Sequence, residues 1–500
     1  MVHYSPEMLG QALWWEESRS AGCPLNADGV SYQAYYSEVG KAHHMGKDLT
    51  EVRSPQRKLV PDKVGLGKYE PTSLRGIAIK AGARATHRFQ NLYRCLNAPF
   101  LLRCWKDLNK KAASGVDEVT AQAYAENLQG NIEALVRKLK SHRYRARLVR
   151  RCYIPKENGK ERPLGIPALE DRLLQLACAK LLASIFEADF VQTSYGYRPN
   201  RSAREAIEDL QFNLQYGKVG YIVEADIKGF FDNIDHDWLM QMLRERIDDA
   251  AFLNLIRKWL KAGILETDGK VLHPETGTPQ GGVVSPVLAN IYLHFCLDLW
   301  FEKKVKEHCQ GESFILRYAD DFICGFRYRE EAERFYRQLP ERLGKFGLTV
   351  APEKTRLIRF SRFHPGIQGR FSFLGFETYW MCDCNGVARV RQRTARKKLQ
   401  AACSRMKEWI KSNRHLKGVA FIDALNRRLI GHYNYYNVPG NLQSLWRFYK
   451  WAVECSFKWL NRRGGKRKSF TWRVFLKAID RLGIAKPKLM MVTRQHRVFA

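Results

Sequence analysis

Two neighbouring carboxylates, Asp320 and Asp321, sit inside the run FILRYADDFICGF at residues 314 to 326. Phe314 and Leu316 alternate with Ile315 and Arg317, and Phe322, Cys324 and Phe326 alternate with Ile323 and Gly325. A period of two on both sides of a polar tip predicts a tight β-hairpin that holds the acids rigidly at one edge. Paired carboxylates repel each other, so a fold that places them together normally neutralises them with a cation. A hard divalent ion with oxygen ligands suits that task. Taken alone, the dipeptide is more often an acidic turn open to water.

A second segment changes that balance. Residues 221 to 236 read YIVEADIKGFFDNIDH, an apolar strand running into Asp226 and then into Phe230 and Phe231. Asp226 precedes Asp320 by 94 positions, so only tertiary folding can join them. Two-metal phosphoryl transfer needs such a set of acids. One Mg²⁺ activates the attacking 3′-hydroxyl and the other stabilises the leaving pyrophosphate, the ions lying about 4 Å apart. One strand bearing an Asp beside a hairpin bearing two supplies that geometry.

Further polar groups surround these acids. Gln280 and Gly281 lie in Pro279-Gln280-Gly281-Gly282, where glycines let a backbone approach a ligand closely; the same stretch also reads as a loop before a helix capped by Ser285-Pro286. Lys156, Lys160 and Arg162 flank the turn Glu157-Asn158-Gly159, and Lys354 follows Pro352-Glu353. Between residues 237 and 262, Leu239, Leu243 and Ile247 form one helical stripe and Leu253, Ile256 and Leu260 another, with Gly263 as a stop. From 76 to 150, Leu92, Leu101, Leu102, Trp105 and Leu108 recur at helical spacing before a basic run through Arg143 to Arg151. After 386, Leu399, Ala402, Met406, Trp409 and Ile410 share one face of a long helix whose other face is basic. Residues 1 to 75 carry Gly and Pro punctuation and little periodicity, and read as an unassigned extension.

Charge is the strongest bulk signal. The chain of 500 residues has a formal net charge of +33, and residues 386 to 500 hold 28 Lys and Arg against four acids, a balance of +24. Such a segment binds polyanions by releasing condensed counterions. Its aromatics, among them Trp409, Tyr433, Tyr435, Tyr436, Trp451 and Trp472, suit either a helical core or base stacking, and core packing takes the better odds for most. The cluster Arg462, Arg463, Lys466, Arg467 and Lys468 fits no core and reads as a phosphate-contacting, nucleic-acid-binding surface. The 12 cysteines are scattered without a Cys-x-x-Cys, which argues for reduced thiols. No apolar run approaches a membrane span and the acidic N-terminus does not look like a targeting peptide, so a protein of the cytoplasm without membrane partners is expected.

Seven blocks carry a family resemblance: RCYIPKENGKERPLGIPALEDRLLQ (151 to 175), SYGYRPNRSAREAI (194 to 207), VEADIKGFFDNIDH (223 to 236), GTPQGGVVSPVLANIYL (277 to 293), RYADDF (317 to 322), GLTVAPEKTRLIRF (347 to 360) and FSFLGF (371 to 376). In this order they resemble the blocks of reverse transcriptases, and more narrowly of bacterial group II intron-encoded reverse transcriptase/maturases. The resemblance implies an α+β right-hand polymerase: fingers, a palm with a split β-α-β sheet, then an α-helical thumb and a basic C-terminal region. It divides the chain at 1–75, at 76–150 (template-binding extension and fingers), at 151–385 (fingers and palm), at 386–454 (thumb, or maturase domain X) and at 455–500 (DNA binding).

The same resemblance implies that Asp226, Asp320 and Asp321, with the Ile227 carbonyl, ligate two Mg²⁺ ions. Gln280 and Gly281 would then meet the dNTP, and Phe231 would lie beneath its sugar and exclude a 2′-hydroxyl, although Phe230 and Phe231 equally suit a core. Lys156 and Arg162 would clamp the triphosphate, with Lys160 equally a solvated turn, and Lys354 would match a lysine near the leaving group. Implied partners are dNTPs, an RNA template, a DNA primer or target and a group II intron RNA whose splicing and retrohoming the protein assists, with nucleoid association when target DNA is bound. No HNH endonuclease is expected after Cys455, so the primer would come from elsewhere. Two other readings stand beside this one: a domesticated or defence-associated reverse transcriptase without an intron, and a splicing chaperone with a vestigial polymerase site.

Overall fold

A computed structural model of the chain describes residues 73–155, 161–278, 281–363, 369–462 and 469–488. Lys156, Lys160, Gln280, Arg463, Lys466, Arg467, Lys468 and nearly all of the 1–75 extension lie outside the described residues. The first helices start where polar side chains satisfy free backbone N–H groups. Asn97 accepts from Phe100 N ahead of the helix Ala98–Asp107, whose buried face is Phe100, Leu101, Cys104 and Trp105. The helix Leu128–Lys140 adds Ile132, Leu135, Val136 and Leu139 to the same core.

Strands β1 (Val149–Pro155) and β2 (Glu161–Ile166) form an antiparallel hairpin. The following helix, Leu169–Phe186, buries every residue except Glu170, and its buried Asp171 accepts from Tyr144 Oη at 2.5 Å while its Lys180 pairs with Asp107. A capping box at Ser202 and Glu205 then starts the helix Ala203–Tyr216, which leads into β3 (Tyr221–Ala225). The two expected helices follow at His236–Arg244 and Ala250–Leu260, with Ile247 buried just beyond the first. Two short strands, β4 (Ile264–Leu265) and β5 (Val271–Leu272), extend the first sheet to the order β2-β1-β4-β5. The helix Ser285–Leu293 has Pro286 in its first turn; Ser285 does not cap it but shares a 2.5 Å hydrogen bond with the Thr278 hydroxyl.

Strands β6 (Ser313–Tyr318) and β7 (Asp321–Phe326) form the expected hairpin, and β8 (Arg356–Arg359) completes a sheet of order β6-β7-β3-β8. Its alternation sorts residues between two interiors and not between inside and water. Val223, Ala225, Phe322, Cys324 and Phe326 pack against the large helical core, while Ile222, Leu316, Ile323 and Ile358 face a second core beneath the helix Ala203–Tyr216. In β7 only Asp321 is exposed.

Strands β9 (Phe371–Phe373), β10 (Phe376–Cys382) and β11 (Ala388–Thr394) make a third sheet that shares the second core. The helices Arg396–Asn413, Gly418–Tyr436 and Leu442–Leu460 then build a third core around Met406, Ile410, Leu425, Leu445 and Phe448, joined by Phe475 and Ile479 of Trp472–Arg481. The expected boundaries at 385/386 and 454/455 fall inside the β10–β11 hairpin and inside Leu442–Leu460. Asn441, fully buried, joins the helical segment to the third sheet: its Oδ1 accepts from Thr394 N at 2.7 Å and its Nδ2 donates to Thr394 Oγ1 at 2.9 Å and Tyr436 O at 2.8 Å. All 11 cysteines among the described residues are free thiols.

Candidate active site

Three chain segments meet at one end of the central sheet. β3 and β7 are antiparallel with Ala225 opposite Phe322, so the next step along each strand sets Asp226 opposite Asp321. In the β6–β7 turn Tyr318 pairs with Asp321, leaving Ala319 and Asp320 as the two turn residues, and Ala319 adopts φ +56°. A left-handed residue at the first turn position suits the twist of a two-residue hairpin, at a cost when it carries a Cβ. The third segment runs antiparallel to residues 226–228: Lys228 N donates to Thr349 O and Ala351 N donates to Asp226 O, both at 2.8 Å. Neither bond uses the Ile227 carbonyl.

This third segment delivers Lys354 to Asp226. Its Nζ stands 2.5 Å from Asp226 Oδ2. The hydrogen bond to Asp226, reinforced by the charges of Asp226 and Asp321, holds the Lys354 ammonium above its ordinary range. The topology therefore collects Asp226, Asp320 and Asp321 at one sheet end. Among the described residues, however, no three His, Cys, Asp or Glu side chains form a cluster able to hold a metal ion, and Asp226 instead has an ammonium as its cationic partner. The donors themselves, carboxylate oxygens and a backbone carbonyl, are the hard ligands that a Mg²⁺ ion takes.

Phe231 is 7% exposed, a member of the large apolar cluster, and edge-on to Phe230. Its backbone positions the neighbouring loop: Thr278 N donates to Phe231 O at 2.8 Å, Gly277 N to Ile234 O at 2.7 Å, and His236 Nε2 lies 2.6 Å from Gly277 O. Gly281, with φ +120°, lies so close to Gly165 of β2 that a Cβ would collide with the Gly165 carbonyl. Thr278 is thereby held by Phe231, and Gly281 lies against β2, the strand that also carries Arg162. On the far side, Tyr435 of the helix Gly418–Tyr436 donates to Leu374 O at 2.8 Å; burial, then the charges of Tyr436, Tyr318 and Asp321, raise its pKa well above the usual phenol range. Arg462, half a turn beyond the helix Leu442–Leu460, is far from these residues in sequence and lies with Lys411 and Arg414 around the Trp459 ring, 5.5 to 5.6 Å from its centroid.

In the sequence Arg317 is simply one member of an alternating strand. In the fold it is 1% exposed and makes an ion pair with the fully buried Asp298. An arginine at an interior register position is the signal that could have found this pair, because a buried guanidinium demands a buried anion.

A family model described as "Reverse transcriptase (RNA-dependent DNA polymerase)" matches residues 154–378. Protein YkfC of Escherichia coli is 34% identical over 337 residues, covering 60% of this chain and 86% of that protein. The group II intron-encoded protein LtrA of Lactococcus lactis is 42% identical over 211 residues, covering 41% of this chain and 34% of LtrA. The putative COX1/OXI3 intron 1 protein of Saccharomyces cerevisiae is 26% identical over 306 residues, covering 52% of this chain and 36% of that protein. The chain thus spans most of YkfC but only about a third of the two intron-encoded relatives.

Proposed function

The chain belongs to the reverse transcriptase (RNA-dependent DNA polymerase) family, and from that premise we infer that it extends a DNA 3′-end along an RNA template at the sheet end shared by Asp226, Asp320 and Asp321. The observation that carries this reading is the register of β3 on β7, which sets two carboxylates from segments almost a hundred residues apart across from each other. The sheet β6-β7-β3-β8 is then the palm, the β1–β2 hairpin part of the fingers, and the helices after Arg396 the thumb.

Asp226, Asp320 and Asp321, with the Ile227 carbonyl, would hold two Mg²⁺ ions, which supply Lewis-acid activation of the primer hydroxyl and charge neutralisation on the departing pyrophosphate. Lys354 keeps a proton beside Asp226, where it offsets carboxylate repulsion and stands within reach of a leaving group as its acid. Gly281, against β2, would bring the following backbone close to the incoming nucleotide, and Arg162 on the same strand, together with Lys156, would contact the triphosphate. Gln280 would contact sugar and base. Phe231, which also belongs to the apolar core, would close the space beneath the sugar.

Similarity to a protein named as group II intron-encoded and to a yeast intron protein supports extending the reading to a maturase that would bind a group II intron RNA and assist its splicing and retrohoming. The basic helical segment supplies the polyanion-binding surface. Primer extension on an RNA template with purified protein, next to sequencing of copurifying RNA, tests both halves: absence of Mg²⁺-dependent cDNA defeats the polymerase, and recovery of no intron RNA defeats the maturase.

A further inference from the structure

We propose that Arg317, Asp298 and Asn290 form a buried clamp that sets the angle of the Asp320–Asp321 turn, and are positioning residues for polymerisation; this rests on the polymerase reading above. Arg317 lies on β6, three residues before Asp320, and its side chain is buried. Its Nε donates to Asp298 Oδ1 at 2.8 Å and its Nη2 to Asp298 Oδ2 at 2.5 Å, a two-pronged fork on a carboxylate with no exposed surface. The third nitrogen does something a purely structural pair would not need. Nη1 donates to Ala319 O, at 3.0 Å, and so holds the carbonyl of the one left-handed residue in the turn.

Nη1 also donates to Asn290 Oδ1 at 3.0 Å, and Asn290 Nδ2 donates onward to Gly196 O at 2.7 Å. Gly196 abuts the other side of the same turn, where a Cβ would collide with Ala319 N. The backbone beside it is bound to β6 as well, through Tyr195 N to Arg317 O at 2.8 Å and Arg317 N to Thr193 O at 2.9 Å. The turn is thus held from within by one guanidinium and from the flank by a glycine, and Asn290 links the two holds. Asn290 belongs to the helix Ser285–Leu293, which follows directly on the loop of Gly281, so one network references both the carboxylates and the nucleotide-side loop. His294, one turn further along, lies beside the pair with Nδ1 buried and unpartnered among the described residues, and burial drives its pKa down to about 4. A neutral imidazole leaves Asp298 to Arg317.

A clamp of this kind affects the rate of chemistry more than nucleotide affinity, because a displacement of about 1 Å in a reacting group costs on the order of 100-fold. Two variants separate positioning from folding. The double variant Arg317→Met with Asp298→Leu removes both charges, which replaces a buried pair by apolar groups and leaves no unpaired ion. Asn290→Ala cuts the link to Gly196 and keeps the ion pair. We expect both to unfold cooperatively in urea at a lowered midpoint, because Ala319 O loses its donor in the first and Gly196 O loses its donor in the second. Their kcat for dNTP incorporation should fall about 100-fold and about 10-fold respectively, with KM for dNTP within about twofold, and Mn²⁺ binding followed by electron paramagnetic resonance should weaken in both. Parental kcat and Mn²⁺ affinity in the folded double variant overturn the clamp. If the double variant does not fold, parental kcat in Asn290→Ala overturns it alone. Should the parent protein make no cDNA, the polymerase reading fails, and the Mn²⁺ comparison still decides whether the clamp sets the carboxylates.

Discussion

Asp320→Ala removes one of the carboxylates proposed to hold the metal ions and leaves the basic helices untouched, so cDNA synthesis should drop by at least about 10²–10³-fold while intron splicing persists. Parallel assays of primer extension and splicing check this; equal loss of both would mean one shared surface. Phe231→Ala carries two effects, since the ring is nearly buried. It should cost about 3 kcal/mol of stability and lower discrimination against rNTPs by on the order of tenfold, read from incorporation of each nucleotide by the fraction that stays folded. Unchanged exclusion of rNTPs in folded protein would leave Phe231 a core residue only. At this scale the sequence was informative wherever chemistry needs a particular side chain at a chain tip, as at Asp226 and Asp320. It was silent on Lys354 as the partner of Asp226, because their proximity depends on residues 349–351 running beside 226–228, a pairing no local pattern encodes.

The helices after Arg396 bring a pH dependence of their own. His432 stacks on Phe448 with centroids 3.8 Å apart; burial, and then the charge of Arg405, lowers its pKa from 6.5 to about 3. Because the folded value lies below the unfolded one, the unfolded chain binds the extra proton. Stability from neutral His432 is therefore present above pH 6.5 and drains away as the pH falls toward 3. His432→Phe should flatten that acid-side decline in thermal melts between about pH 7 and 4, and an unchanged slope would refute the assignment. Element types along Leu239–Leu260 and Leu399–Ile410 were legible because helices with one buried face repeat at about 3.6 residues. Strand burial was not: β7 alternates in sequence, yet both of its faces are covered, by two different cores.

Across the whole chain, +24 of the +33 net charge sits after residue 385. Neutralising Arg462, Arg463, Lys466, Arg467 and Lys468 should weaken nucleic-acid binding and reduce the slope of log affinity against log salt by about one for each phosphate that no longer meets a cation. Filter binding over a salt series measures it, and a parallel line would place the phosphate-binding surface elsewhere. No helix among the described residues is long and apolar enough to cross a membrane. Composition disclosed this uneven charge at once, whereas the ends of each unit were hidden, since the changes of charge and of fold do not coincide: β11 is already basic and still belongs to a sheet.

Asn441 gives that mismatch a practical meaning. One amide closes the seam between strand and helices from both sides, so exchanging the helical part for a homologous one is not a simple cut at Thr394. A chimaera that failed to supply an asparagine at the matching place would leave the Thr394 N–H without this acceptor, at about 1–3 kcal/mol, and would leave the Tyr436 carbonyl with only its bond from Val438 N. A working exchange would therefore carry Thr394 and Asn441 across together.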